Sequence, residues 1–193
     1  MNRLHKWYCR SGRWSITVRD KLVPWVLDGL EPGDDVLELG PGPGVTTDLL
    51  RRWAPRLTAI EIDPNLADRL QKRTAGTNVE VLPGDATAMP FPDGRFSAVV
   101  SFTMLHHVAS AALQDRLLGE VHRVLRPGGV FAGCDSTTSL VFRLAHLFDT
   151  MVLVDPDGLA GRLQAAGFVD IRVQGASGAF RFRATRSGAG MSQ

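Results

Sequence analysis

Apolar residues along the chain alternate between short continuous runs and stripes at helical spacing. Over residues 15–30, Val18, Leu22 and Val26 recur as one face of a helix, and Glu31-Pro32-Gly33 ends the run. Asp34-Asp35 leads into a first predicted strand over 36–39. Residues 45–54 read as a helix whose first turn is a glycine loop and which Pro55 stops. A second strand ends near Glu61, and Asp63-Pro64 then caps a helix with Leu66 and Leu70 facing inward. A third short strand over 78–82 closes on Pro83-Gly84-Asp85. The fourth, 96–102, is apolar enough for a strand covered on both faces. Leu113, Leu117, Val121 and Val124 mark another helix stripe. It ends at Arg126-Pro127-Gly128-Gly129, where Pro127 stops the helix and the glycines turn the chain into a fifth strand over 130–134. Asp155-Pro156 caps a helix with Leu159 and Leu163 inward and Gly167 at its end. Two last strands, 169–174 and 179–185, are joined by Gly175-Ala176-Ser177-Gly178.

Five alternations of strand and helix predict a doubly wound, mostly parallel, right-handed α/β sheet. The terminal pair brings the count to seven strands and adds an antiparallel edge. At 193 residues, with 44% hydrophobic and 22% charged residues, the chain reads as one globular domain. Its expected parts are an arm and helix over 1–30, a binding domain over 31–186 and a polar, glycine-rich tail over 187–193. No apolar run is long enough to span a bilayer, and none near the start resembles a signal peptide. Cys9 and Cys134 form neither a disulfide framework nor a metal knuckle, so the cytoplasm is the expected compartment. A net charge of +2 does not argue for nucleic acid. The arm is nevertheless basic and aromatic, with Arg3, Lys6, Arg10, Arg13 and Arg19 around Trp7, Tyr8 and Trp14.

The richest stretch for chemistry is Val36-Leu37-Glu38-Leu39-Gly40-Pro41-Gly42-Pro43-Gly44, followed one helix later by a strand ending in Glu61. An apolar strand opening into a glycine turn is the layout of a nucleoside-binding crevice at the carboxyl ends of parallel strands. Glycines let a ligand approach bare backbone, and a carboxylate has two oxygens for the two hydroxyls of a ribose. Val45 stands where a dinucleotide-binding loop often has its last glycine, which counts against a nicotinamide cofactor.

In order along the chain, five segments together resemble the class I S-adenosylmethionine-dependent methyltransferases. They are residues 36–44; Glu61; Gly84-Asp85-Ala86; residues 96–101 with Leu105-His106-His107-Val108; and Leu125-Arg126-Pro127-Gly128-Gly129. The resemblance covers residues 30–185 and implies a Rossmann-like methyltransferase fold, with S-adenosylmethionine as cofactor and S-adenosylhomocysteine as product. It implies ribose binding by Glu61, adenine-amino binding by Asp85 and Ala86 beside it, and an adenine face at Ile62. It further implies close cofactor approach at Gly40, Pro41, Gly42 and Gly44, ordering of the methionine end by Glu38, and a cleft wall at Ser101 and Met104. Asp85 reads equally as a turn residue bonding its own backbone, and Glu38 as a brace for the loop. Ser97 departs from an aspartate common in the family, but at the strand end away from the crevice.

His106 and His107 follow the fourth strand, where a histidine can take a proton from an acceptor near neutral pH; adjacent side chains diverge, so at most one is expected to serve. His5, His122 and His146 are scattered and suggest no metal. Acceptor choice is expected to lie in the arm over 1–14 and in the apolar connection over 135–154. That connection carries Leu140, Val141, Phe142, Leu144, Leu147, Phe148, Met151 and Val152 around Arg143 and His146, suiting a small hydrophobic or lipid-like acceptor. Two alternatives are a nicotinamide-dependent oxidoreductase and a non-catalytic cofactor-binding relative.

Overall fold

The computed structural model describes residues 12–137 and 151–188. The first eleven residues of the arm, the apolar part of the connection from Leu140 to Phe148, and the tail beyond Gly188 lie outside the described residues. Seven strands form one sheet in the order β3-β2-β1-β4-β5-β7-β6. They are β1 Val36–Leu39, β2 Leu57–Glu61, β3 Val79–Pro83, β4 Phe96–Phe102, β5 Leu125–Ser136, β6 Phe168–Ala176 and β7 Ala179–Arg186. Strands β1 to β5 pair in parallel, and the β6–β7 hairpin forms the antiparallel edge, with β7 running against both neighbours.

The apolar pattern explains the layering. Every residue of β1 and β2 is buried, because both sheet faces are covered. Leu37, Leu39, Ile60, Val99 and Phe131 pack on one face against α5 Ala111–Val124 and α6 Pro156–Ala165. Val36, Ala59, Val81, Ala98 and Val100 pack on the other against α3 Thr47–Trp53 and α4 Pro64–Arg73. That alternation sends Glu38, the only acidic residue inside β1, into the second layer.

The predicted first helix is interrupted. Pro24 lacks the amide hydrogen that an ordinary helical ladder needs. A π turn, Val18–Leu22, therefore separates α1 Gly12–Thr17 from α2 Val23–Leu27, and the Val23 amide donates to the Val18 carbonyl. Val18 and Val26 still face the core. The cap ahead of α4 forms as the pattern predicts: the Asp63 side chain accepts from the Asn65 and Leu66 amides at 3.0 and 3.4 Å. The turn at 126–129 differs. Pairing starts already at Leu125 opposite Phe96 and resumes at Val130 opposite Ala98, so these residues bulge within β5 rather than precede it.

Gly133 is packed closely between Ser101 of β4 and Phe182 of β7. A β-carbon there would collide with the Ser101 carbonyl and come within 2.7 Å of the Phe182 ring. Gly133→Ala is expected to destabilise the protein by about 1–3 kcal/mol through overpacking, read as a lower urea midpoint at unchanged slope.

Candidate active site

The turn after β1 passes directly over the carboxyl ends of the strands. Between β1 and β4 the strand order reverses, so the connections diverge there and leave a crevice. Gly40 and Gly42 adopt left-handed backbone with φ of +60° and +54°. A β-carbon on Gly40 would collide with the Met104 side chain, whereas one on Gly42 would meet nothing within 4 Å. Gly42 therefore offers bare main chain to open space. Its amide is not idle, since it donates to Glu61 Oε2 at 2.9 Å. Glu61 Oε1 accepts from the Asp63 amide at 2.9 Å, so the carboxylate is tethered through both oxygens while 6% exposed.

Beside this turn opens a cleft of about 370 Å³, bordered by Gly40, Gly42, Glu61, Ile62, Asp85 and Ala86 at the ends of β1, β2 and β3. Ile62 is 71% exposed and offers an apolar surface at the cleft border. Asp85 Oδ1 accepts from the Thr87 amide at 2.8 Å, so the turn-forming reading of this residue holds while the same residue borders the cleft. A second cavity of about 80 Å³ lies on the other side of the loop, walled by Trp14, Pro41, Thr46, Phe102 and Thr103. Gly40, Gly42, Met104 and His107 border both spaces.

Of the residues expected at the site, Gly40, Pro41, Gly42, Glu61, Ile62, Asp85 and Ala86 line one or both cavities, and Glu38, Gly44 and Ser101 line neither. Each of these three has a physical reason. Gly44 packs where a β-carbon would strike Leu70 and the Arg73 guanidinium, so it serves the fit of α4 against the loop. Ser101 is fully buried within β4. Glu38 is 1% exposed and faces the start of α3, where its Oε1 accepts from the Thr46 hydroxyl and its Oε2 from the Thr47 hydroxyl at 2.7 Å. Burial pushes its carboxyl up to about 7. The two threonine hydroxyls oppose that shift, and the charges of Glu61 and Asp48 add to it. Asp48 is itself paired with Arg73.

The adjacent histidines diverge as expected. His106 is buried, its Nδ1 at 2.5 Å from Asp135 Oδ1, while Asp135 Oδ2 accepts the His106 amide at 3.2 Å. His107 turns toward the cavities, its ring centroid 4.1 Å from that of His106. Residues that sequence reasoning passed over include Thr46, Thr47 and Thr103. Two threonines after a glycine loop are a readable sign of hydroxyl donors for the preceding acid. Thr103 carries no sequence signal for its positive φ of 50°, a strained state for a β-branched residue at a cavity wall. Leu113, the first residue of the predicted stripe, is 37% exposed and borders the cleft.

The Glu38 carboxyl sets a pH dependence of stability. An acid whose folded value lies above its unfolded one adds stability at low pH, which is lost as pH rises through the folded value. The free protein should therefore lose up to about 3 kcal/mol from this group between pH 4.5 and 8. Denaturant titrations across that range should show a flatter profile for Glu38→Gln than for the natural sequence.

The family profile described as a methyltransferase domain matches residues 37–133, half of the chain. A probable ribosomal RNA small subunit methyltransferase A of Thermococcus onnurineus is 43% identical over 86 residues, covering 45% of this chain and 30% of that protein. The 2-methyl-6-phytyl-1,4-hydroquinone methyltransferase 2 of Oryza sativa subsp. japonica is 28% identical over 84% of this chain and 47% of its own length. The chain thus spans less than half the length of these curated relatives. A crystal structure of a possible histamine N-methyltransferase from Thermotoga maritima superposes with a TM-score of 0.73 at 18% identity, covering 95% of this chain and 98% of that one. At that identity it bears on the fold alone. With the matched profile running from within β1 to within β5, the chain belongs to the class I S-adenosylmethionine-dependent methyltransferases.

Proposed function

We propose that the larger cleft takes the adenosine half of S-adenosylmethionine and that the smaller cavity takes its methionine and sulfonium end. The observation that carries this reading is the Glu61 carboxylate standing in the same cleft as Asp85, beside the exposed Gly42 main chain. The group fits the residues present. Each Glu61 oxygen accepts one backbone amide and keeps a further lone pair for a ribose hydroxyl. The second oxygen of Asp85 is directed to the adenine amino group once the first has closed its turn, and Ile62 and Ala86 supply the apolar surface for the ring. Gly40, Pro41 and Gly42 let the methionine end lie close to the loop, with Glu38, Gly44 and Ser101 supporting from behind.

The cofactor supplies an activated methyl group, so the chain's task is alignment of an acceptor and exclusion of water. We read the acceptor as small and hydrophobic, because Trp14, Phe102 and Met104 form an apolar wall around the smaller cavity. The likeness to a hydroquinone methyltransferase across most of the chain supports that class. His107 borders both cavities, so it is placed to take a proton from an acceptor. His106 is engaged by Asp135 and is not. The likeness to a ribosomal RNA methyltransferase favours a second reading, RNA as acceptor. Among the described residues no helix is long and apolar enough to cross a membrane. A cytoplasmic site of action is proposed on the sparse cysteine content alone.

Two measurements test this. Glu61→Ala should weaken S-adenosylmethionine binding by roughly 10- to 100-fold in calorimetry, the loss expected when charge-assisted hydrogen bonds are removed; unchanged affinity refutes the ribose assignment. Incubation of the protein and methyl-labelled cofactor with cell extract should put label in the organic-soluble fraction. Label in the RNA fraction instead would establish the second reading.

A further inference from the structure

Glu38 of β1 is an acid behind the loop whose chemistry the cofactor site does not use directly. It is fully buried, yet it communicates with the smaller cavity through a single side chain: Thr46 borders that cavity and donates its hydroxyl to Glu38 Oε1. The neighbouring strands present Ala59 and Val100 opposite it. The ionisable groups acting on it are Glu61 at the end of β2 and Asp48 of α3, the latter paired with Arg73 of α4. Both acids disfavour a charge on Glu38, as does burial, and the two threonine hydroxyls favour one. The opposing influences leave the carboxyl divided between its two forms near neutral pH. At that balance point, one added positive charge nearby decides the outcome, because a partly desolvated site screens weakly.

We propose that Glu38 senses the charge of the methyl donor: a sulfonium in the smaller cavity drives Glu38 into its ionised form with release of a proton, and the neutral thioether product leaves that proton in place. The inference rests on the cofactor placement proposed above. The ionised carboxylate in turn holds the Thr46 and Thr47 hydroxyls as donors, keeping the loop in the geometry that borders the cavity. Glu38 is thus a positioning residue that discriminates substrate from product. Its preference for the donor increases as pH rises, since the ionised protein binds the cation more tightly.

The test is calorimetry of the full chain with S-adenosylmethionine and with S-adenosylhomocysteine, each in phosphate and in Tris, across pH 5.5 to 8.5. Both ligands carry the same amino acid and nucleoside, so their difference isolates the sulfonium. Near pH 7 the donor should release up to about half a proton more than the product. The ratio of donor to product affinity should rise about tenfold across the range for each unit by which the donor lowers the Glu38 value. His107 borders the same cavity and would also lose a proton to a nearby cation. The excess must therefore vanish in Glu38→Gln and survive in His107→Gln; the reverse result overturns the proposal, as does equal proton release by the two ligands in the natural protein. Should Glu38→Gln fail to fold, carbon-13 spectra of glutamate-labelled natural protein decide the matter. A side-chain carboxyl that titrates near neutral pH must move to its ionised position with the donor and not with the product, and its absence counts against the idea. No binding of either ligand would instead refute the cofactor placement itself, and this inference with it.

Discussion

The loop between β1 and α3 is held by two carboxylates on opposite sides, and the site takes its form from that pair of tethers. Glu61 grips the Gly42 amide from the cleft side, and Glu38 grips the Thr46 and Thr47 hydroxyls from within the sheet–helix layer. A glycine-rich turn alone has many backbone states of similar energy. Fixing it at two points, one amide and one helix start, selects a single path and leaves Gly42 facing open space. Glu38 lies inside β1 and Glu61 ends β2, so the sheet's register places both acids, and the loop follows.

That arrangement imposes a cost on the core. A carboxylate in a layer otherwise made of Val36, Leu50, Ala59 and Val100 is expensive to ionise, and the protein lowers that cost with two hydroxyl donors. Residue alternation in β1 makes the choice unavoidable. With Leu37 and Leu39 committed to one face, position 38 must point into the other. An acid there is therefore a concession of packing to the site, and it leaves the group sensitive to charge at the cavity beyond Thr46. Other buried acids are held by partners of their own, Asp35 by Arg95 and Asp135 by His106. Cys134 shows the contrast, as its thiol is buried in β5 and pushed to resist ionisation, which makes it a small hydrophobe.

The two histidines after β4 face the core and the cavities respectively, His106 buried and His107 half-buried. His106 turns in to Asp135, which ties the end of β5 to the turn after β4. That turn is further bound to the returning chain, where the Val152 amide donates to the His106 carbonyl and Gln114 donates to the Val152 carbonyl. His107 is then carried to the border of both cavities on a braced support. Side chains used in chemistry benefit from being carried on a rigid element rather than on a free loop.

Much of this was legible in the chain itself. Strand positions, helix caps at Asp63 and Asp155, the parallel order and the acid at the end of β2 follow from local rules of spacing, glycine, proline and capping, which need no distant partner. Other features did not follow. Pro24 converts one predicted helix into two flanking a π turn, Leu113 of the helix stripe borders the cleft, Glu38 takes the bracing position that the sequence left open beside a cofactor contact, and Thr103 is strained. The last three depend on what stands opposite in space: the cleft beside α5, the hydroxyls at the start of α3, or the carbonyl of Cys134, which receives the Thr103 amide at 2.8 Å. Periodicity says which side of an element a residue occupies. What lies across from that side is determined only when the layers close, and for this protein that closure separates the residues bordering the cavities from those that hold them in place.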